Sequence, residues 1–452
     1  MKRLFYKVCD YYSYLLIFLI FMGQAFLKFK INNTNFNISR CLMLLVFILL
    51  PLGVIIDRKK IKIKDRGIKY ILLFLLIWAI YSIFTVVWCK DIEMYIITNF
   101  FIITGVANIF FLTFFTDIQK NYKKYFFIMQ LAIFINCIYY FIIRKNVIGG
   151  FYHNINDLAT VITFILPITI YMLFNSKKAI SIAYNIVFFV AYYYAYILIN
   201  SRANILGMYI GIFLALSFIG LKNKDKILKD YKLKLITGFS LVLVSILMIN
   251  SFNQNLGIIS SSPVDNKEET ILNQIKSEYD KKSTQTNKIK NINDLSEEEI
   301  KEIKSKHLYT SNEIRINLIY NSFDFLKKDY KFLTGIGTGN TIYYFKNFSK
   351  HSTNFEYSVH NYWIEILLTN GIFIFVGYII LNIIIVIKLL KNIDISKNIQ
   401  ELFSEKDIIY IVFMLSFVFS SISSSSMLTR EWIWIALGFV IYHINLPEKN
   451  RK

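Results

Sequence analysis

Apolar runs long enough to cross a bilayer recur along almost the whole chain, and no other feature limits its fold so strongly. A hydrocarbon core of roughly 30 Å takes about 20 mostly apolar residues as a helix. Runs such as residues 70–87 stay apolar throughout instead of alternating with period two, so the spacing predicts helices and argues against a β-barrel. The composition agrees: 55% of the residues are hydrophobic and 17% aromatic, far above a soluble domain. About twelve spans are predicted, at roughly 11–29, 40–56, 68–88, 93–115, 125–143, 157–174, 179–199, 203–221, 234–250, 361–389, 407–424 and 430–446. The expected fold is therefore all-α, a polytopic membrane protein with about 12 transmembrane helices and one large external loop containing short amphipathic helices.

A formal charge of +21 raises the question of nucleic acid, but the basic residues sit in short loops between spans and form no single basic face. With the N-terminus inside, loops on the cytoplasmic side hold about 28 Lys or Arg, including Arg58–Lys69 and Lys222–Lys234, against about eight in the short external loops, which is the positive-inside pattern. The expectation is a multi-pass protein of the cytoplasmic (inner) membrane with both termini cytoplasmic, its partner being the lipid bilayer and not nucleic acid. The basic, apolar N-terminus shows no small-residue cleavage site and is expected to be retained. Cys9, Cys41, Cys89 and Cys137 stand singly and are read as packing residues.

Three regions follow: residues 1–250, an N-terminal transmembrane bundle of about nine helices; 251–360, a large extracytoplasmic loop; and 361–452, about three C-terminal helices. The first half of the loop, Ser260 to Asn293, is polar and offers little to bury. Its second half carries two capping boxes, Ser296 with Glu299 and Thr310 with Glu313. From Asn312 to Lys328, Ile316, Ile319, Tyr320, Phe323 and Leu326 repeat at helical spacing, predicting an amphipathic helix that packs by that stripe, with Arg315 at its edge.

Four external segments carry the residues that can do chemistry: Gly150–Ala159, Asn200–Ala203, Gly335–Asn340 and His360–Glu365. Arg202, at the outer interface, is either a snorkelling anchor or a phosphate ligand, since its planar fork binds phosphate oxygens in pairs. Arg315 is either a surface charge or a second such ligand. His360 is either a solvated imidazole or a general base for a sugar hydroxyl. His153, His307 and His351 have no comparable context. The run through Gly335, Gly337 and Gly339 lacks a preceding strand and is no dinucleotide fingerprint. It makes a tight turn or brings backbone close to a ligand. Asn156 and Asp157 are good N-cap types for the sixth span. No DxD-like pair, HExxH or carboxylate cluster appears outside, so neither a metal nor another cofactor is expected.

Taken in order, "GGFYHNINDLA", "NSRANILGMYIGI", "EIRINLIYNSFDFLKKDYKFLTGIGTGN" and "HNYWIEILLTNGIFIFVGYIIL" resemble motifs of the O-antigen ligase and polymerase superfamily of the bacterial envelope, over roughly residues 145–390. The resemblance implies a metal-independent, inverting glycosyltransferase of the membrane-embedded type. Its donor would be a saccharide on undecaprenyl diphosphate and its acceptor a second lipid-linked oligosaccharide or lipid A core, with a chain-length regulator protein as a partner. Residue by residue, it implies Arg202 and Arg315 at the diphosphate and His360 at the acceptor hydroxyl, with Asn156, Gly335, Gly337, Gly339 and Asn361 in support. Ala203-Asn204 stand where many relatives have a glycine, and the loop carries a polar insertion at about 260–293. The expected activity is polymerisation of O-antigen or capsular repeat units on the outer face. Ligation to another acceptor is the alternative within the class, and a flippase that makes no bonds is the alternative outside it.

Overall fold

The computed structural model describes residues 2–31, 34–61, 63, 65–143, 150–152, 154–199, 201–222, 311–328, 330–353, 357–393, 405–423 and 427–446. The chain opens with α1 (Lys2–Met22), a hairpin of β1 (Lys28–Ile31) and β2 (Thr34–Asn37), then α2 (Ile38–Leu44) and α3 (Val46–Ile56). There follow α4 (Arg66–Phe84), α5 (Ile92–Phe115), α6 (Ile118–Ile143), α7 (Ile155–Phe174), α8 (Ala179–Ile199) and α9 (Arg202–Lys222). Beyond the undescribed stretch come α10 (Ser311–Leu326), α11 (Lys331–Thr334), α12 (Thr341–Phe348), α13 (Tyr362–Asn392), α14 (Lys406–Ser420) and α15 (Glu431–Asn445).

The protein is an all-α polytopic membrane protein, and eight of its described helical segments are long and apolar enough to cross a bilayer. Eleven of the twelve expected spans coincide with helices, although α9 is described as apolar over a shorter stretch and α14 and α15 run only 15 residues each. The twelfth, 234–250, lies outside the described residues, as do the segment from Ser260 to Asn293 and the capping box at Ser296. Two differences are instructive. The first span begins at Lys2, not near residue 11, and its expected end is a two-stranded hairpin pairing Lys28 with Asn37 and Ile31 with Thr34. Alternating KFKI next to an Asn-rich link favours that hairpin over a longer helix.

Lipid drives no hydrophobic association between helices, so close packing of small residues has to hold the bundle together. Gly207 and Gly211 of α9 do this against Ser416 and Ser420 of α14: a Cβ on either glycine would overlap those serines. At the centre, every residue of α15 from Glu431 to Ile444 is buried, the mark of a helix surrounded on all sides. Trp434 lies across Gly105 of α5. By contrast α8 turns Ile180, Val187, Val190 and Leu198 outward, a face suited to acyl chains. Cys9 and Cys137 are buried packing residues, whereas Cys41 is exposed and Cys89 half-buried.

The described ion pairs of the bundle collect at its two ends. At one end Asp57 accepts from Tyr6 (2.9 Å) and pairs with Lys2 (3.3 Å), Asp65 pairs with Lys388 (2.6 Å), and His443 meets Asp407 (3.2 Å). Asp65 lies below the ordinary carboxylate range: partial burial opposes this, but the Lys388 ammonium and the Ile68 and Gly67 backbone N–H groups outweigh it. The opposite end gathers the close of α1 and the starts of α7, α9, α13 and α15.

Candidate active site

The Gly150–Ala159 segment is stitched to the end of α1. Asn136 of α6 donates to the carbonyls of Phe21 (3.1 Å) and Met22 (2.9 Å) and accepts from the Phe151 N–H (2.9 Å), while the Tyr152 hydroxyl donates to Phe21 (2.9 Å). The N-cap of α7 is Asn154, whose side chain accepts from the Asn156 N–H, so Asn156 is not itself the cap. Asp157 is no cap either. It is 1% exposed, and the Arg430 guanidinium stands 2.9 Å from its Oδ2.

That pair belongs to a buried chain of charge. Arg430 donates to Gln24 Oε1 (2.6 Å), and Gln24 donates to Glu431 Oε2 (3.1 Å). Arg40 of α2 completes it at 3.5 Å from Glu431 Oε1. Glu365, in the first turn of α13, accepts from the Met427 N–H (3.0 Å), tying α13 to the turn before α15. Uncompensated charge at this depth is costly, and removing one member of a buried pair typically costs about 3–5 kcal/mol. The network thus sets the relative positions of α1, α2, α7, α13 and α15.

His360 stands immediately before α13 in the left-handed region (φ +50°), a conformation uncommon for a side chain larger than Asn. It is half-buried and acts electrostatically on Asp157. Asn361 caps α13, its side chain accepting from the Trp363 and Ile364 N–H groups (both 3.1 Å). Arg315 lies half-buried in the second turn of α10, one turn before Leu318, which packs in a cluster with Val359, Leu367 and Leu368 around the start of α13. Arg202 opens α9; its side chain lies outside the described residues. The flanking backbone is well tied, because Asn204 donates to Ser201 Oγ (2.8 Å) and accepts from Thr160 of α7 (3.0 Å).

The glycine run at 335–339 is explained by packing against protein. Gly335 lies on the Thr369–Asn370 backbone, Gly337 against Trp88 and Gly339 on Met94–Tyr95, all three with positive φ. The loop pairs with α13 where Gly371 (φ +76°, ψ 180°) breaks it: the Ile336 N–H donates to Leu368 (2.7 Å) and the Gly337 N–H to Thr369 (3.1 Å). Thr338 and Asn340 then bind the end of α4 and the start of α5 through Thr85 (2.6 Å), Asn99 (2.8 Å) and the Lys90 N–H (2.7 Å).

The stripe expected to pack α10 holds only in part: Leu326 is buried and Ile319 half-buried, but Ile316, Tyr320 and Phe323 are exposed, and the buried face runs instead through Leu318, Asn321, Ser322 and Phe325. Asn321 justifies its burial by donating to the His351 carbonyl (2.8 Å) and accepting from the Lys350 and His351 N–H groups (2.9 and 3.0 Å). On the same helix the Asp324 carboxyl lies below the ordinary range; desolvation opposes this, but Lys327 and Lys350 outweigh it.

Residues 186–379 match the family described as O-antigen ligase. The chain is also similar to the teichuronic acid biosynthesis protein TuaE of Bacillus subtilis (strain 168), 23% identical over 472 residues that cover 100% of this chain and 86% of that protein. These matches support the resemblance of the chain to the O-antigen ligase and polymerase superfamily. The matched stretch holds Arg202, Arg315, the glycine run and His360, whereas Asp157, Arg430 and Glu431 lie outside it. From the sequence alone Arg430, Glu431, Gln24 and Arg40 have no assigned role, Glu365 only closes the fourth external segment, and Asp157 is a cap candidate. One signal was available: Arg430-Glu431 are adjacent charges at the head of the last apolar run, where an unpaired charge would be expensive.

Proposed function

We propose that this protein joins polyprenyl-diphosphate-linked oligosaccharides into a longer envelope polysaccharide on the outer face of the cytoplasmic membrane, with an undecaprenyl-type lipid as carrier. The observation that carries this reading is that the starts of α7, α9, α13 and α15 share one end of the bundle, with His360 just ahead of α13 and with α10, the helix that carries Arg315, packed through Leu318 on the start of α13. The family and the relative named for teichuronic acid biosynthesis support a polysaccharide product.

In the proposed reaction His360 takes the proton of an acceptor sugar hydroxyl as that oxygen attacks the anomeric carbon of the donor. The bond from that carbon to the diphosphate breaks, and its electron pair leaves with the diphosphate. Arg202 and Arg315 meet the growing negative charge. Cations already in place where charge develops act on the transition state more than on the ground state. Attack opposite the leaving group inverts the anomeric centre, and the two guanidiniums take the place a divalent cation holds in other transferases.

Proteoliposomes supplied with undecaprenyl-diphosphate-linked repeat units test this. The expected result is a ladder of products with released undecaprenyl diphosphate, unchanged by EDTA, and a loss of about 100-fold or more in His360→Ala but not in His351→Ala. Transfer to added lipid A core without a ladder would mark a ligase. Movement of the lipid across the bilayer without bond formation would mark a flippase. Loss with EDTA that magnesium restores would overturn the arginine-based mechanism.

A further inference from the structure

The helices α10 to α12 carry apolar side chains on their outside as well as in their packed core. On α10, Ile316, Tyr320 and Phe323 recur at helical spacing and are 50%, 57% and 40% exposed. Phe348 of α12 is exposed too, as are Tyr330, Phe332 and Leu333 in and before α11. The Lys328 ammonium lies 5.5 Å from the centre of the Phe348 ring, joining the end of α10 to α12, and the Tyr320 ring meets His351 at 5.6 Å. Single exposed apolar side chains are ordinary, whereas a cluster of them marks a contact surface.

This surface continues the lipid-facing belt of the bundle. The Tyr81 hydroxyl of α4 donates to the Thr334 carbonyl, and Gly371, at the break of α13, lies on the Leu333 carbonyl. The stretch 372–392 beyond that break is about the 20 residues that one crossing needs, so the break, with α11 seated on it, falls at the rim of the membrane. Below the rim α4 turns Ile77 and Ile80 outward, and α13 turns Phe373 and Ile380 outward. The charge is complementary to a headgroup layer as well. From Ser311 to Lys350 six Lys or Arg stand against three Asp or Glu. Asp324 lies between Lys327 and Lys350 (3.3 and 3.4 Å), while Lys331 and Lys346 stand beside the rings of Tyr344 and Tyr357. Lysine stems that run along apolar surface and lift their ammoniums to phosphate are the pattern of an interfacial helix. An uncharged apolar partner would leave those ammoniums without counter-charge, and an acidic soluble partner would leave the α10 stripe in water.

We propose that α10 to α12 dock on the anionic phospholipid headgroups of the leaflet at the site end, with the apolar stripe entering the boundary between headgroups and acyl chains and the lysines binding phosphate. Docking holds α10, and with it Arg315, close to headgroup depth.

The test uses the full chain in nanodiscs without substrate, so its outcome is independent of the proposed reaction. A bimane on Phe323→Cys, in a background with Cys9, Cys41, Cys89 and Cys137 replaced, reports contact with a phospholipid that carries a nitroxide on its headgroup. In phosphatidylglycerol discs the nitroxide lipid is expected to quench the bimane about twofold or more. Quenching falls below half of that in phosphatidylcholine discs, and in phosphatidylglycerol discs with Lys327→Gln and Lys328→Gln together, because each lysine near an anionic surface favours docking about fivefold. Lys327→Arg with Lys328→Arg keeps the quenching, which separates lost charge from a disturbed fold. Salt at about 1 M, where the Debye length is about 3 Å, weakens it. Absent quenching in phosphatidylglycerol would give the stripe to water or to another macromolecule. Equal quenching in both lipids and in the Gln variant would show apolar contact without headgroup recognition. Either result overturns the inference.

Discussion

At the scale of single residues, the proposed diphosphate ligands make a sharper demand than loss of activity. Lys keeps the charge of Arg but not the planar fork. Arg202→Lys and Arg315→Lys are therefore each expected to stay in the membrane at normal amounts and lose about 10-fold or more in kcat/KM. If the two act on one diphosphate, the double variant falls well short of the product of the single losses. Multiplicative losses in the liposome assay would place them on different ligands. Arg202, Arg315 and His360 could be singled out as candidates because each sits in a short motif with local context. The partners of Asp157 could not: the Arg430–Gln24 bond joins residues 406 apart in sequence, and no local pattern encodes such a pairing. Asn361 was named only as a supporting residue and not as the α13 cap, and the glycines as a turn or a close approach to ligand; only the contact of Gly335 with the α13 break shows that protein occupies the near face.

At the scale of elements, α9 and α14 stand or fall by small residues. Gly207 and Gly211 are four apart, Ser416 and Ser420 likewise, and the two pairs face each other. Gly211→Leu should force the helices apart and, since α9 carries Arg202 and α14 holds the Trp363 indole through the Val418 carbonyl (3.0 Å), lower activity at least 10-fold while shifting the detergent melting temperature down by several degrees. Ser416→Ala, which adds no bulk, is expected to leave both within error. A stable Gly211→Leu protein would mean that the interface tolerates separation. Helix existence was legible nearly throughout because long apolar runs leave few alternatives in lipid. The face of α10 was not. Leu318, Asn321, Ser322 and Phe325 recur at the same helical spacing as the apolar stripe, and a hydropathy pattern cannot know that Asn321 finds three backbone partners inside. The exposed Ile316, Tyr320 and Phe323 suit a helix lying along a membrane surface.

At the scale of the whole molecule, the sequence yields the sidedness of the chain by counting charges, and the fold yields it by asking which segments share an end. The two agree on grouping for the described residues: the basic stretch at 58–61 and 65–69 joins the end holding Asp57, Asp65 and Asp407, and the segments at Gly150, Ser201, Gly335 and His360 join the other. Positive-inside bias would then put the site end outside. Thiol labelling of intact cells with an impermeant reagent tests that assignment. Cys41 is exposed and Cys89 half-buried on the site side, so both must first become Ser, with Cys9 and Cys137 also replaced. On that background Asn347→Cys, exposed on α12, should label in intact cells, and Lys124→Cys, exposed at the start of α6, should label only after permeabilisation. The reverse result would place His360 on the cytoplasmic face, where the donor is assembled and not polymerised. The proposed reaction would then lose its compartment, while the ion-pair network joining α1, α7, α13 and α15 would stand unchanged.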